Sequence, residues 1–387
     1  MNYDFDTILD RKNTSSVKWD YFDTELPMWV ADMDFKAAPE ITKAIIDTTE
    51  MGVYGYTMIQ DKWYEVYIDW WKQYDTKLEK DWLKYTTGVI PAISTVIRKL
   101  TSKGDKVLIQ TPVYHVFFYI IDDNEREVIE NKLIYKDKQY SIDFHDLEEK
   151  LARDDVKLML LCNPHNPIGK IWSKEELERI GQLCRKHDVV VVADEIHGDL
   201  TDPGRKYNPF INISEECRDN TIMIIAPTKT FNIAGLKTAA VCIPNINLRE
   251  KIFKVIDVDC INDPNIFAIK GTIAAYTKGD EWLNQLRQYL YDNKQLLKDY
   301  LKNNIPEIEL VPSDATYLLW IDCSRLGIHG EDFCDFLNKK TGLLLSPGVQ
   351  FGKVGEQFVR INIACPRKIL LDGLDRLKRG VELYKNR

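Results

Sequence analysis

The sequence has eight cysteines, yet no two of them stand at C-x-x-C spacing. That removes the usual zinc-ribbon and thioredoxin-like readings. Cys162, Cys184, Cys217, Cys242, Cys260, Cys323, Cys334 and Cys365 are scattered, several within apolar runs. A reduced, buried thiol is the default there, and no metal is expected. Long apolar runs are missing too. None approaches the ~18–20 residues that cross a bilayer, so no membrane partner is expected. Positive charge is not in excess: 52 Lys and Arg face 60 Asp and Glu, for a net charge of -8 without a basic stripe. Nucleic acid is therefore not an expected partner. No G-x-G-x-x-G follows a strand and there is no Walker loop, which argues against a dinucleotide-binding dehydrogenase or a P-loop protein. Met1-Asn-Tyr-Asp-Phe-Asp6 has neither the basic start nor the apolar core of a leader, so a cytoplasmic location is expected.

What is present is a 387-residue chain, 44% hydrophobic, long enough for two or three domains. From about residue 82 to 244 short apolar runs alternate with helical patterns. Lys106–Gln110, Val156–Cys162, Val189–Ala193, Ile222–Ala226 and Ala239–Pro244 read as strands. Ser173-Lys-Glu-Glu176 is a capping box opening the helix before one of them. This pattern predicts an α/β fold with a mainly parallel sheet in a large domain. After residue 244 the pattern changes to helices, a long helix from Asp280 to Asn304, then strands at Tyr317–Ile321 and Phe358–Ala364. That predicts a smaller α+β domain. The expected division is an N-terminal arm at 1–40 belonging to the small domain, a large domain at 41–278 and a small domain at 279–387.

In open α/β sheets ligands bind beyond the carboxyl ends of the strands. Gly88, Tyr114, Asn166, Asp194 and Lys229 all follow strands and so fall at that one edge. Lys229 taken alone is equally an ordinary loop lysine. Pressed against a buried sheet, however, it loses hydration and becomes a nucleophile, able to hold an aldehyde cofactor as a Schiff base. Asp194 would pair with a protonated ring nitrogen, Tyr114 would stack on the ring, and Asn166 could donate to a ring oxygen. The helix start at Val89 and Ile90 would hold a phosphate, because backbone N–H groups there lack intrahelical partners. That combination points to pyridoxal phosphate. Arg360, a charge inside an apolar strand, is either a sheet-edge residue or a partner for a carboxylate.

Asn163-Pro-His-Asn-Pro-Ile-Gly169, Asp194-Glu-Ile-His197 and Thr228-Lys-Thr-Phe-Asn-Ile-Ala-Gly235 resemble fold-type I pyridoxal phosphate enzymes of the class I/II aminotransferase superfamily. Met28-Trp-Val-Ala-Asp-Met-Asp-Phe35, Gly88-Val-Ile-Pro-Ala92 and Arg360-Ile-Asn-Ile-Ala-Cys-Pro-Arg367 are more specifically similar to the MalY/PatB-type cystathionine β-lyases, a group of carbon–sulfur lyases. The resemblance implies cleavage of L-cystathionine or related cysteine S-conjugates to a thiol, pyruvate and ammonia. It leaves an aminotransferase, or a cofactor-binding protein with a regulatory side role, as alternatives.

The resemblance also implies a homodimer with shared sites, in which Tyr56, rather than Tyr54, reaches the neighbouring cofactor. It implies that Arg360 binds the substrate α-carboxylate, with the backbone near Ala31 and Asp32 closing over it. Two positions depart from the broader superfamily. Ala226 replaces a frequent serine, and Lys237 a frequent arginine, so the phosphate would lean on Thr228, Lys237 and the helix start. His197 stands where aminotransferases often carry a tyrosine near the ring oxygen.

Overall fold

The computed structural model describes residues 3–387. Its largest sheet has seven strands: β1 (Leu83–Thr86), β2 (Lys106–Thr111), β3 (Glu127–Lys132), β4 (Val156–Cys162), β5 (Val190–Asp194), β6 (Thr221–Ile225) and β7 (Ala239–Cys242). Their spatial order is β1-β7-β6-β5-β4-β2-β3. All run parallel except β7, which is antiparallel to both its neighbours. Side chains alternate between two covered faces, which is why β4, β5, β6 and β7 are apolar at nearly every position. Leu158 and Leu160 of β4 pack with Val192, Ile222 and Ile224 on one face. Met159 and Leu161 pack with Val191 and Ala193 on the other.

Each crossover brings the chain back to the same edge. Gly88 opens the first of them with φ +149°, a conformation that suits glycine, and caps the helix Val89–Leu100. The capping box is formed as expected: Ser173 and Glu176 bond reciprocally at the start of the helix Lys174–Lys186. Beyond β7 come the helices Ile246–Val258 and Ile266–Lys278, then the long helix Asp280–Asn304.

A second, antiparallel sheet contains β8 (Glu309–Leu310), β9 (Leu318–Asp322), β10 (Ser346–Pro347) and β11 (Phe358–Asn362), in the order β8-β9-β11-β10. The N-terminal segment joins this part of the molecule: Leu26 and Pro27 pair in parallel with Leu343 and Leu344. The helix Arg367–Lys385 closes the chain.

Three local features are not evident in the sequence. The polar stretch after residue 122 contains the edge strand β3, whose charged residues hide it from an apolar-run search. The aromatic-rich stretch beginning at Trp63 is α-helical only to Trp71, in the helix Asp61–Trp71, then tightens into a 3₁₀ turn that Asp75 ends at φ +55°. Lys229 lies in a single helical turn, Pro227–Thr230, rather than in a loop. All eight cysteines are free thiols, buried except Cys260. No helix among the described residues is long and apolar enough to cross a membrane.

Candidate active site

The carboxyl ends of β1, β2, β4, β5 and β6 open onto one cavity of about 210 Å³. Its wall includes Gly88, Val89 and Ile90 after β1, Tyr114 after β2, and Asn166 after β4. Asp194 ends β5 and His197 follows it, and Thr228 and Lys229 follow β6. Because β7 runs antiparallel, its beginning meets the same edge. This brings Lys237 and Thr238 into the wall. Ala31 completes it from the N-terminal segment.

Lys229 donates from Nζ to the Ala31 carbonyl at 2.6 Å. Loss of hydration brings its ammonium down to about 8; Asp32 and Asp194 oppose that shift while Arg360 and Lys237 add to it. Near physiological pH the neutral fraction rises from a trace to roughly a tenth or more, and that fraction is both nucleophile and base. Asp194 is buried, and burial pushes its carboxyl up to about 6, against the pull of the Ile196 N–H and of Lys229. It therefore gains from a cationic partner in the cavity. Burial, with Lys229 and Arg360 nearby, pushes the His197 imidazole down to about 3, so it stays neutral. Its Nδ1 is buried without a partner. Tyr114 is pushed up to about 12, first by burial and then by Asp194.

Arg360 lies on β11 between Trp320 of β9 and Ser346 of β10. It is 3% exposed. Its guanidinium donates to Asn166 Oδ1 at 3.1 Å and to the Trp29 carbonyl at 2.9 Å, and it lies 4.6 Å from the Phe351 ring centre. Among the described residues it forms no ion pair with a carboxylate, and its Nε is buried without a partner. Burial brings it down to about 10. A buried, uncompensated guanidinium is costly to keep unless an anion visits it.

The segment 28–35 crosses both cations. Ala31 O accepts from Lys229 and also from the Tyr317 hydroxyl at 3.0 Å. Val30 O and Asp32 O both accept from Asn362 Nδ2, at 2.6 and 2.7 Å. Asn232, three residues after Lys229, accepts from Met33 N–H and donates to the Met33 and Phe35 carbonyls. Underneath, Asp34 accepts from Lys18 at 2.7 Å, Arg11 at 2.7 Å and Trp19 Nε1 at 2.9 Å. Burial pushes Asp34 up, but Lys18, Trp19 and Arg11 outweigh it and hold its carboxyl low.

The family model for aminotransferase class I and II matches residues 28–377. The chain belongs to that family. Cystathionine beta-lyase PatB of Bacillus subtilis is 39% identical over 381 residues, covering 97% of this chain and 98% of that protein. Protein MalY of Escherichia coli is 33% identical over 381 residues, covering 96% of this chain and 97% of its own. The crystal structure of cystalysin from Treponema denticola, which contains pyridoxal 5'-phosphate, superposes with a TM-score of 0.95 at 35% identity, covering 99% of each chain.

In this family member Val89, Ile90, Tyr114, Asn166, Asp194, His197, Thr228, Lys229, Lys237 and Ala31 all line the one cavity. Arg360 stands just behind it, joined through Asn166. Asn166 thus presents its oxygen to Arg360. Asp32 does not line the cavity, and its carboxylate bonds Arg11 at 2.6 Å. Tyr56 is fully exposed on the same chain and does not line the cavity. The sequence reading missed Tyr317, Asn232 and Asn362. Nothing in an isolated sequence marks a residue whose partner is a distant backbone carbonyl. Asp34 did carry a signal: an acid between Met33 and Phe35 demands a buried cation.

Proposed function

We propose that this chain is a pyridoxal phosphate-dependent carbon–sulfur β-lyase. Its substrate class is L-cystathionine and related cysteine S-conjugates, and its products are a thiol, pyruvate and ammonia. The observation that carries the reading is the buried guanidinium of Arg360, free of any carboxylate, beside a cavity with Lys229 at its wall. Such a pair recognises an α-amino acid: carboxylate at one end, reacting carbon at the other. The names of PatB, a cystathionine beta-lyase, and of other relatives supply the sulfur chemistry.

The residues present fit the cofactor. Asp194 is a buried carboxylate in need of a cation, matching a protonated ring nitrogen. Tyr114 supplies an aromatic face, and Asn166 and the neutral His197 supply groups for the ring oxygen. The start of the helix Val89–Leu100, with Thr228 and Lys237, offers N–H groups, a hydroxyl and a cation to the phosphate. Lysine in place of arginine there keeps the charge without the fork geometry.

Bound to Lys229, pyridoxal phosphate supplies an electron sink for the charge released at Cα. Asp194 keeps the proton on the ring nitrogen. Arg360 fixes the substrate carboxylate bidentately, and the backbone at Ala31 and Asp32 borders it. Lys229, in its neutral form, would take the Cα proton at Nζ. The sulfur then leaves from Cβ with the bonding pair, and the released enamine hydrolyses to pyruvate and ammonia.

The proposed organisation is a cytoplasmic homodimer. Each chain has an N-terminal arm (1–40), a large domain (41–278) and a small domain (279–387). The two separate sheets and the pairing of Leu26–Pro27 with Leu343–Leu344 support this division. Tyr56 would serve the partner's phosphate. The deciding experiment incubates the purified holoenzyme with L-cystathionine and no keto acid. Pyruvate and thiol are expected in equal amounts. Turnover that appears only after a keto acid is added would instead make this an aminotransferase.

A further inference from the structure

Lys229 must be neutral to take the Cα proton and charged once it holds it. Its surroundings contain charged and titratable groups from every side. Asp194 and His197 face it from the end of β5, Lys237 from ahead of β7, Arg360 from β11, Tyr114 from the loop after β2, and Tyr317 from ahead of β9. Asp194 is committed to the ring nitrogen in the proposed reaction, while Arg360 and Lys237 are cations. The remaining carboxylate is Asp32, adjacent in sequence to the carbonyl that Lys229 Nζ touches at 2.6 Å.

Asp32 is divided between two environments. Its Oδ2 accepts from Arg11 at 2.6 Å, whereas its Oδ1 is buried and has no hydrogen-bond partner. Arg11 is itself shared, bonding Asp34 at 2.7 Å, Ser16 Oγ at 3.1 Å and the Met33 carbonyl at 3.2 Å. With Lys18 on Asp34, two cations balance two anions. One face of this neutral group, the bare oxygen of Asp32, remains unsatisfied one residue along from the carbonyl that holds the reacting amine.

We infer that the Arg11–Asp32 pair, which lies outside the cofactor cavity, sets how readily Lys229 takes up and holds its proton. Asp32 favours the ammonium that forms when the Cα proton arrives. Arg11 offsets enough of that charge to keep the amine from being locked as an ammonium beforehand. Both are positioning residues acting through Lys229, and the inference rests on the reading of Lys229 as the base. It makes a prediction of opposite signs. Asp32→Asn removes a negative charge and leaves more neutral amine at a given pH. Arg11→Gln unmasks that charge and leaves less. Arg11→Lys keeps the charge and leaves the balance in place.

The test is acetylation of Lys229 by acetic anhydride in the full chain freed of bound carbonyl compounds, quantified on the Lys229 peptide. At pH 7 Asp32→Asn is expected to label about three- to tenfold faster than wild type, and Arg11→Gln slower by a similar factor. Arg11→Lys should label at the wild-type rate. The acid limb of the lyase kcat profile should move to lower pH in Asp32→Asn and to higher pH in Arg11→Gln. A merely structural role would loosen the segment and move both variants in one direction. That result, or no movement in either, overturns the inference. Should Arg11→Gln fail to fold, the inference still requires faster labelling in Asp32→Asn together with an unmoved Arg11→Lys. Labelling shifts of opposite sign in a protein without lyase activity would sink the proposed reaction while leaving the charge control intact.

Discussion

Lys229 pays for its reactivity in folding stability, and the sign can be worked out. Its ordinary value is 10.5 and its folded value is about 8. Between those two values the unfolded chain binds more protons than the folded one, so stability rises with pH across that window. Below pH 8 the full penalty applies. In the cofactor-free protein, Lys229→Met should therefore be more stable than wild type at pH 7, by about 2–3 kcal/mol. The gap should close as pH approaches 10, as followed by urea denaturation at several pH values. The same substitution should abolish turnover and the cofactor's absorbance near the visible edge. At Arg360 the expected split is kinetic. Arg360→Ala should raise KM for L-cystathionine by tenfold or more, about 1.4 kcal/mol at the least, through loss of carboxylate binding. An unchanged KM would remove Arg360 from that role.

Among the elements, the segment 28–35 has the largest effect for its length. It is not a helix, and only its first residues adjoin a strand pair, yet its carbonyls meet Arg360, Asn362, Lys229 and Asn232 in turn. Asp34 anchors it. Asp34→Ala would leave Lys18 buried and unpaired, which costs about 3–5 kcal/mol. The urea midpoint should fall accordingly, and cofactor-free protein should be cleaved earlier by protease within residues 11–35. The sequence made the strand ends legible, because apolar runs that stop at Asp194 or before Lys229 obey a simple burial rule. It did not make this segment legible, because its work is done by backbone carbonyls that every residue has. The antiparallel course of β7 was equally hidden: an apolar run has no direction. That course matters, since it is what carries Lys237 into the wall of the cavity.

At the scale of the whole molecule, one chain leaves a surface unaccounted for. Met51, Val53, Tyr54, Tyr56 and Met58 are all exposed, in a stretch without helix or strand between two well-formed helices. So many large apolar side chains in succession are unusual on a free surface and fit burial against a second copy. The proposed dimer, with Tyr56 crossing to the partner's cofactor, makes a prediction that a monomer cannot satisfy. Lys229→Ala chains keep Tyr56, and Tyr56→Ala chains keep Lys229. Each variant alone should be nearly inactive, the second through weak cofactor retention. Dissociated, mixed in equal amounts and reassembled, half of the dimers are hybrids, and each hybrid has one site with both residues intact. About a quarter of the wild-type activity should return, the fraction that two-fold symmetry dictates. If Tyr56 acted on its own chain, every site in the mixture would lack one residue or the other, and activity would stay at the average of the two variants.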